Sequence, residues 1–367
     1  MKRGIAHKNE REQWIELLRI ISMFWIIAFH FSDHGTIDMV TTPLCLNWVI
    51  LAFSRLGGGI GNCLFVLISG YLLYNKKFRI SHVITLWAEV EFYSLISYIL
   101  STALGIVSWQ GLTDLAKNIF PIIGKNYWFI SSYLVMYFLS PFLNHFIRNA
   151  DYKRHMSNIL ILLCCFSLPQ LIPHVRWMAS EGKIEMFVLL YITGALIKKY
   201  DLFNSEKQKL VTIIMVMLFV LVISEIVIKI FSPKHFTYFV WPMSKITIFV
   251  IAVLIFGALK GVKVKMTPWL QCCSQSVFGV YLIHIGRMEK WFFEKMFDIS
   301  GIYTKGTLHF TFILICYLFA VFALCVIIDQ LRLFCVERPL KPILYRLSNW
   351  CEKRYDSLQS IIMEQSL

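Results

Sequence analysis

Residues 14–31 read WIELLRIISMFWIIAFHF, a mostly apolar run that carries an arginine, Arg19, and a histidine, His30, eleven positions apart. At about 100° per residue, that spacing makes three helical turns plus about 20°. A helix therefore puts both side chains on one face, about 16 Å apart along its axis. Ionisable groups at membrane depth are rare, and those that occur usually line a cavity or a substrate path. The pair therefore marks a functional face. The plainer alternative is an arginine snorkelling at one membrane surface and an interfacial histidine at the other.

Composition sets the class in which that face is read. The 367 residues are 57% hydrophobic and 16% charged, with a mean hydropathy of +0.64. A water-soluble fold cannot cover so much apolar surface, so the bilayer is the solvent. The expected fold is all-α, a polytopic membrane helical bundle. Ten apolar runs form the candidate spans: 14–33, 57–74, 83–107, 127–147, 157–173, 184–197, 209–231, 244–259, 268–286 and 306–328. The sixth and eighth are short and must extend or tilt. Leu44–Phe53 is apolar but too brief to cross. It reads as a re-entrant or interfacial helix, or else it merges with the second span through Gly57-Gly58-Gly59-Ile60-Gly61. The charged stretch 1–13 leads into a long run with no small-residue cleavage site, so it reads as the start of an uncleaved span. Residues 1–340 form one expected transmembrane domain, and 341–367 a short cytoplasmic tail.

With both termini cytoplasmic, 23 of the 36 Lys and Arg residues fall inside and 11 outside. That is the bias expected of ten spans. The net charge of +14 then faces anionic lipid or an anionic cytosolic cofactor, and nucleic acid is not implied. The ten cysteines include no Cys-x-x-Cys, and no His-Glu-x-x-His occurs, so neither a disulfide framework nor a metal is expected. Gly57–Gly61 lacks the Lys-Ser/Thr of a phosphate-binding loop.

Other features align with the first span. The second ends in Ser69-Gly70-Tyr71, small residues that admit a helix or ligand to the backbone. Just inside it lie Lys76, Lys77 and Arg79, a cluster suited to a polyphosphate or to a positive-inside anchor. Glu89 and Glu91 stand near the same mouth, placed to neutralise those cations. The fourth span opens with Tyr127-Trp128-Phe129, which an aromatic belt would also explain. The ninth carries Tyr281-Leu282-Ile283-His284, and Glu337-Arg338-Pro339 follows the last. Glu225, midway in the seventh, is costly at that depth and has no role beyond pairing with a neighbour or lining the cavity.

Taken in order from residue 19 to 339, these elements resemble the acyltransferase-3 family of integral membrane O-acyltransferases, in the branch that decorates bacterial capsular and exopolysaccharides. Many members carry an adjacent arginine pair after the second span; here the order is Lys76, Lys77, Phe78, Arg79. The resemblance implies transfer of an acyl group, usually acetyl, from cytosolic acyl-CoA to a sugar hydroxyl of a polysaccharide or its lipid-linked precursor. It places the chain in a bacterial plasma membrane. In that reading His30 is the general base and Asp33, at i+3, orients its ring. Arg19 binds the cofactor's phosphates or pantetheine arm, or stabilises the oxyanion. Lys76, Lys77 and Arg79 hold the adenosine phosphates of acetyl-CoA. Ser69, Trp128, Tyr281 and His284 line the substrate path, His284 being equally readable as a hydrogen-bonded core histidine. Membrane lipids are partners, and a homo-oligomer is left open. The competing class is a transporter or flippase for a lipid-linked glycan, which would also need many helices and buried charge but favours internal repeats that this sequence lacks.

Overall fold

The structure is a computed structural model that describes residues 13–124, 126–172 and 183–364, with backbone alone at Lys183 and 358–364. The reading of residues 1–12 as an uncleaved, cytoplasmic N-terminus lies outside the described residues. The described residues are helical, with no strand among them. Each of the ten expected spans coincides with a helix. These are α1 (Gln13–Asp33), α2 (Leu46–Leu73), α3 (Ile80–Ala103), α4 (Trp128–Asn149), α5 (Tyr152–Phe166), α6 (Lys183–Lys199), α7 (Lys207–Phe231), α8 (Ile246–Leu259), α9 (Pro268–His284) and α10 (Thr307–Arg332). A further helix, α11 (Arg338–Glu364), continues from α10 through the π turn Leu333–Glu337. The segment expected as a short tail is therefore largely helical.

Among the described residues, six helices, α1 to α4, α7 and α10, are long and apolar enough to cross a membrane. The other four have 15, 17, 14 and 17 residues. At about 1.5 Å per residue they fall short of a hydrocarbon core of about 30 Å. The separate interfacial helix at Leu44–Phe53 is a correction: Leu46 to Leu73 is one unbroken helix, the merged alternative. The glycine run does not break it because its flat surface is needed for packing. A side chain at Gly57 or Gly61 would strike Trp25, or Ser22 and Ile26, of α1. Gly70 and Gly194 do the same for α2 against α6, each lying on the other helix's backbone. Small residues let membrane helices approach closely where no hydrophobic force drives them together.

Burial then separates centre from periphery. The apolar windows of α1 and α2 are 67% and 72% buried, against 22% for α3, α7 and α10. The first two helices form the axis, and the last three turn most of their surface outward. At the end of the bundle bearing Lys76, Lys77 and Arg79, Arg332 gathers three carboxylates. Its guanidinium lies 2.9 Å from Glu89, Asp329 and Glu337, and Tyr93 donates to Asp329 at 2.6 Å. Glu89 thus pairs with Arg332, not with the cations of the nearby link as the sequence suggested. The Glu337 of the Glu-Arg-Pro element completes the clasp.

Candidate functional site

One cavity of about 760 Å³ enters the bundle between α1, α2, α3, α4 and α9. Gln13, His82 and Met266 line its basic end, Arg19 and Ser69 its middle, and Ile26, Phe129 and Tyr281 its far end. The α1 face predicted from the Arg19–His30 spacing is the wall of this cavity. Arg19 is not a lone cation, because its Nη1 donates to both oxygens of Glu16 at 3.0 Å, and Ser274 of α9 also donates to Glu16. The i,i+3 spacing of Glu16 and Arg19 was available in the sequence. Pairing lowers the cost of holding an arginine there, while the half-exposed guanidinium keeps donors free for a ligand.

The cavity stops one turn short of His30, since Ile26 is at i−4. Beyond Tyr281 comes a cluster of titratable groups at the opposite end of the bundle. The His30 ring is buried, its centroid 5.1 Å from those of His284 and His34. His30 Nδ1 lies 3.1 Å from Oε1 of Glu289, within ion-pair range, although the atom has no aligned hydrogen bond. His34 Nε2 approaches the same Glu289 oxygen at 3.5 Å and Asp33 at 3.4 Å. His34, Glu289 and Asp33 are partly exposed, with side-chain accessibilities of 34%, 23% and 27%, whereas His30 has 11%. The buried base is thus linked to a solvent-facing rim. Glu289 sits between α9 and α10, and burial pushes its carboxyl up to about 7, opposed by His34 and reinforced by Asp33.

Other expected residues fall differently. Asp33 was expected to orient His30, but it pairs with Arg55 and His34, leaving Glu289 as the carboxylate against the His30 ring. Sequence alone hid this, because 259 positions separate the two residues. His284 is fully buried, its Nδ1 donates to the Val280 carbonyl, and its Nε2 has no hydrogen-bond partner. It is thus both a hydrogen-bonded core histidine and a neighbour of His30. Ser69 and Tyr281 line the cavity, but Trp128 does not; Phe129, Ile130 and Tyr133 of the same helix do. Lys76, Lys77 and Arg79 are exposed at the cavity's basic end without lining it, and Arg79's backbone N–H donates to Tyr137 at 3.1 Å. Glu225 is buried away from the cavity.

The sequence reading expected no metal ligands among the histidines, and the structure brings one candidate set together among the described residues. His30, His34 and Glu289 bring three ligand atoms within 4.8 Å of one another. The first two are one helical turn apart, a His-x-x-x-His spacing readable in the sequence. The donor set suits a divalent ion such as zinc.

The fold and site define a multi-pass membrane bundle, with a deep cavity from one end leading toward a histidine–carboxylate cluster at the other. The acyltransferase-3 family model, described as an acyltransferase domain, matches residues 12–330. The chain belongs to that family, which indicates a membrane acyltransferase. Comparisons with curated proteins and with solved structures give no match.

Proposed function

We propose that the chain moves an acetyl group from acetyl-CoA, entering at the basic, cytoplasmic end, to a sugar hydroxyl of a cell-surface polysaccharide or its lipid-linked precursor at the opposite face. The observation that supports this reading is the position of buried His30 between the end of a deep cavity and a partly exposed histidine–carboxylate rim. A cavity of about 760 Å³ rises from one end toward it, and the His34–Glu289 rim lies at the other. Lys76, Lys77 and Arg79 stand where the nucleotide phosphates would remain outside, as point charges and a guanidinium fork. Arg19 and Ser69 offer donors along the arm.

In the transfer step, His30 removes the proton from the attacking hydroxyl as its oxygen bonds to the thioester carbonyl. The C–S bond then breaks, and the thiolate leaves with the proton held on the imidazolium. A tautomer with Nδ1–H facing Glu289 leaves Nε2 as the base, and an ionised Glu289 stabilises the imidazolium. Tyr281 stands at the junction between cavity and base, its ring 6.5 Å from that of His284, so it bounds the last turn of the donor's path.

Proton NMR of O-acetyl groups on surface polysaccharide tests the assignment, in cells lacking the protein and re-expressing wild type or His30→Ala. Acetylation is expected to return with wild type and stay at least about 100-fold lower with His30→Ala, at equal membrane levels of protein. Restoration by His30→Ala would refute the base; unchanged acetylation on deletion would refute the acceptor.

A further inference from the structure

The proposed transfer leaves α11 unused, although its exposed side chains form a pattern. Leu340, Ile343, Leu347 and Trp350 fall at steps of three, four and three residues, so they make one stripe along the helix. All are exposed, Ile343 by 62% and Trp350 by 59%. The stripe is bordered by cations: Arg346 and Lys353 lie beyond one edge, and the Arg354 guanidinium sits 5.7 Å from the Trp350 ring. A different face, with Ser348, Glu352 and Tyr355, packs on the bundle. Glu352 accepts from the Ser81 N–H at 3.1 Å, and Tyr355 meets Phe78 at 5.3 Å.

Two contacts tie the C-terminal path to α3, one at the end of α10 and one on α11. Arg332 is held at Glu89 and Glu352 at Ser81. Ser348 is buried, Glu352 meets Ser81 at the start of α3 and Tyr355 meets Phe78 just before it, so this part of α11 packs on the basic end of the bundle. Its stripe follows the outward apolar surface of Ile327 and Leu331 at the end of α10 and of Phe334 in the π turn.

We propose that α11 is an amphipathic helix docked at the membrane surface, with Leu340, Ile343, Leu347 and Trp350 entering the headgroup–acyl boundary and Arg346, Lys353 and Arg354 binding anionic phospholipid. Continuity with a membrane-facing helix argues for lipid, and the flanking cations select anionic headgroups. Because Tyr355 rests on Phe78, between Lys77 and Arg79, docked lipid fixes the rim of the cavity's basic mouth.

Hydrogen–deuterium exchange on the full-length protein in nanodiscs tests this. Amides of 340–357 are expected to exchange about tenfold or more slowly in phosphatidylcholine mixed with phosphatidylglycerol than in phosphatidylcholine alone. Replacing Arg346, Lys353 and Arg354 by Gln removes that difference, and Ile343→Asn with Trp350→Asn removes protection in both lipids. Unchanged exchange elsewhere in the chain reports intact folding. Equal wild-type rates in the two lipids would overturn the proposal without any variant. So would protection that appears only with two copies per disc, which would make the stripe a contact between copies.

Discussion

His30 and Glu289 show how a residue acquires chemistry from its surroundings. Burial raises the Glu289 carboxyl to about 7, so the group changes charge across the range in which an imidazole serves as a base. If ionised Glu289 supports the His30 imidazolium, transfer in wild type rises as pH increases through about 7, and Glu289→Gln lowers kcat and loses that limb. A pH profile of acetyl transfer in proteoliposomes checks this; an unaltered profile would leave Glu289 a packing residue. The same shift has a stability consequence of opposite benefit. The folded state binds this proton more tightly than the unfolded chain does, so the contribution is present below the ordinary glutamate range and lost as pH rises through about 7. Glu289→Gln should therefore raise stability by about 1–2 kcal/mol at alkaline pH, fading toward acid, in thermal unfolding followed across pH. At Tyr281, Phe retains the ring and should retain most transfer, whereas Ala removes the partition below His284. Transfer that is insensitive to Tyr281→Ala would place the donor's path elsewhere.

At the scale of elements, two devices hold the site together. Gly57 and Gly61 seat α2 on α1, and Gly70 and Gly194 seat it on α6. Gly70→Leu should cost at least about 1–3 kcal/mol through forced separation of the backbones, seen as a lower unfolding temperature in detergent. The second device is Arg332, whose three carboxylates join α3, α10 and the π turn before α11. Arg332→Ala leaves buried acids without their cation and should destabilise by about 3–5 kcal/mol. Replacing Glu337, the most exposed of the three, should cost far less. These devices were partly legible. The glycine run and the Glu-Arg-Pro element stand out in the sequence, but their partners Trp25, Tyr191 and Arg332 do not.

For the whole molecule, the question is whether His30 acts as a base or as a metal ligand, since His30, His34 and Glu289 have ligand chemistry. The proposed transfer requires no ion. Chelation of the purified, reconstituted protein should leave the rate unchanged, and loss restored by zinc would turn His30 into a ligand. The sequence by itself determined the membrane class, the positions of ten helices, the α1 face shared by Arg19 and His30, and the family. Those properties depend on hydropathy, period and short motifs, all local in the chain. Only the tertiary structure decided that Glu289 meets His30, that Glu16 tempers Arg19, that Asp33 goes to Arg55, and that the cavity ends at Tyr281. Such contacts join residues from distant helices, or choose among neighbours equally near in sequence. Packing selects them, through close glycine seats and the need to pair each buried charge.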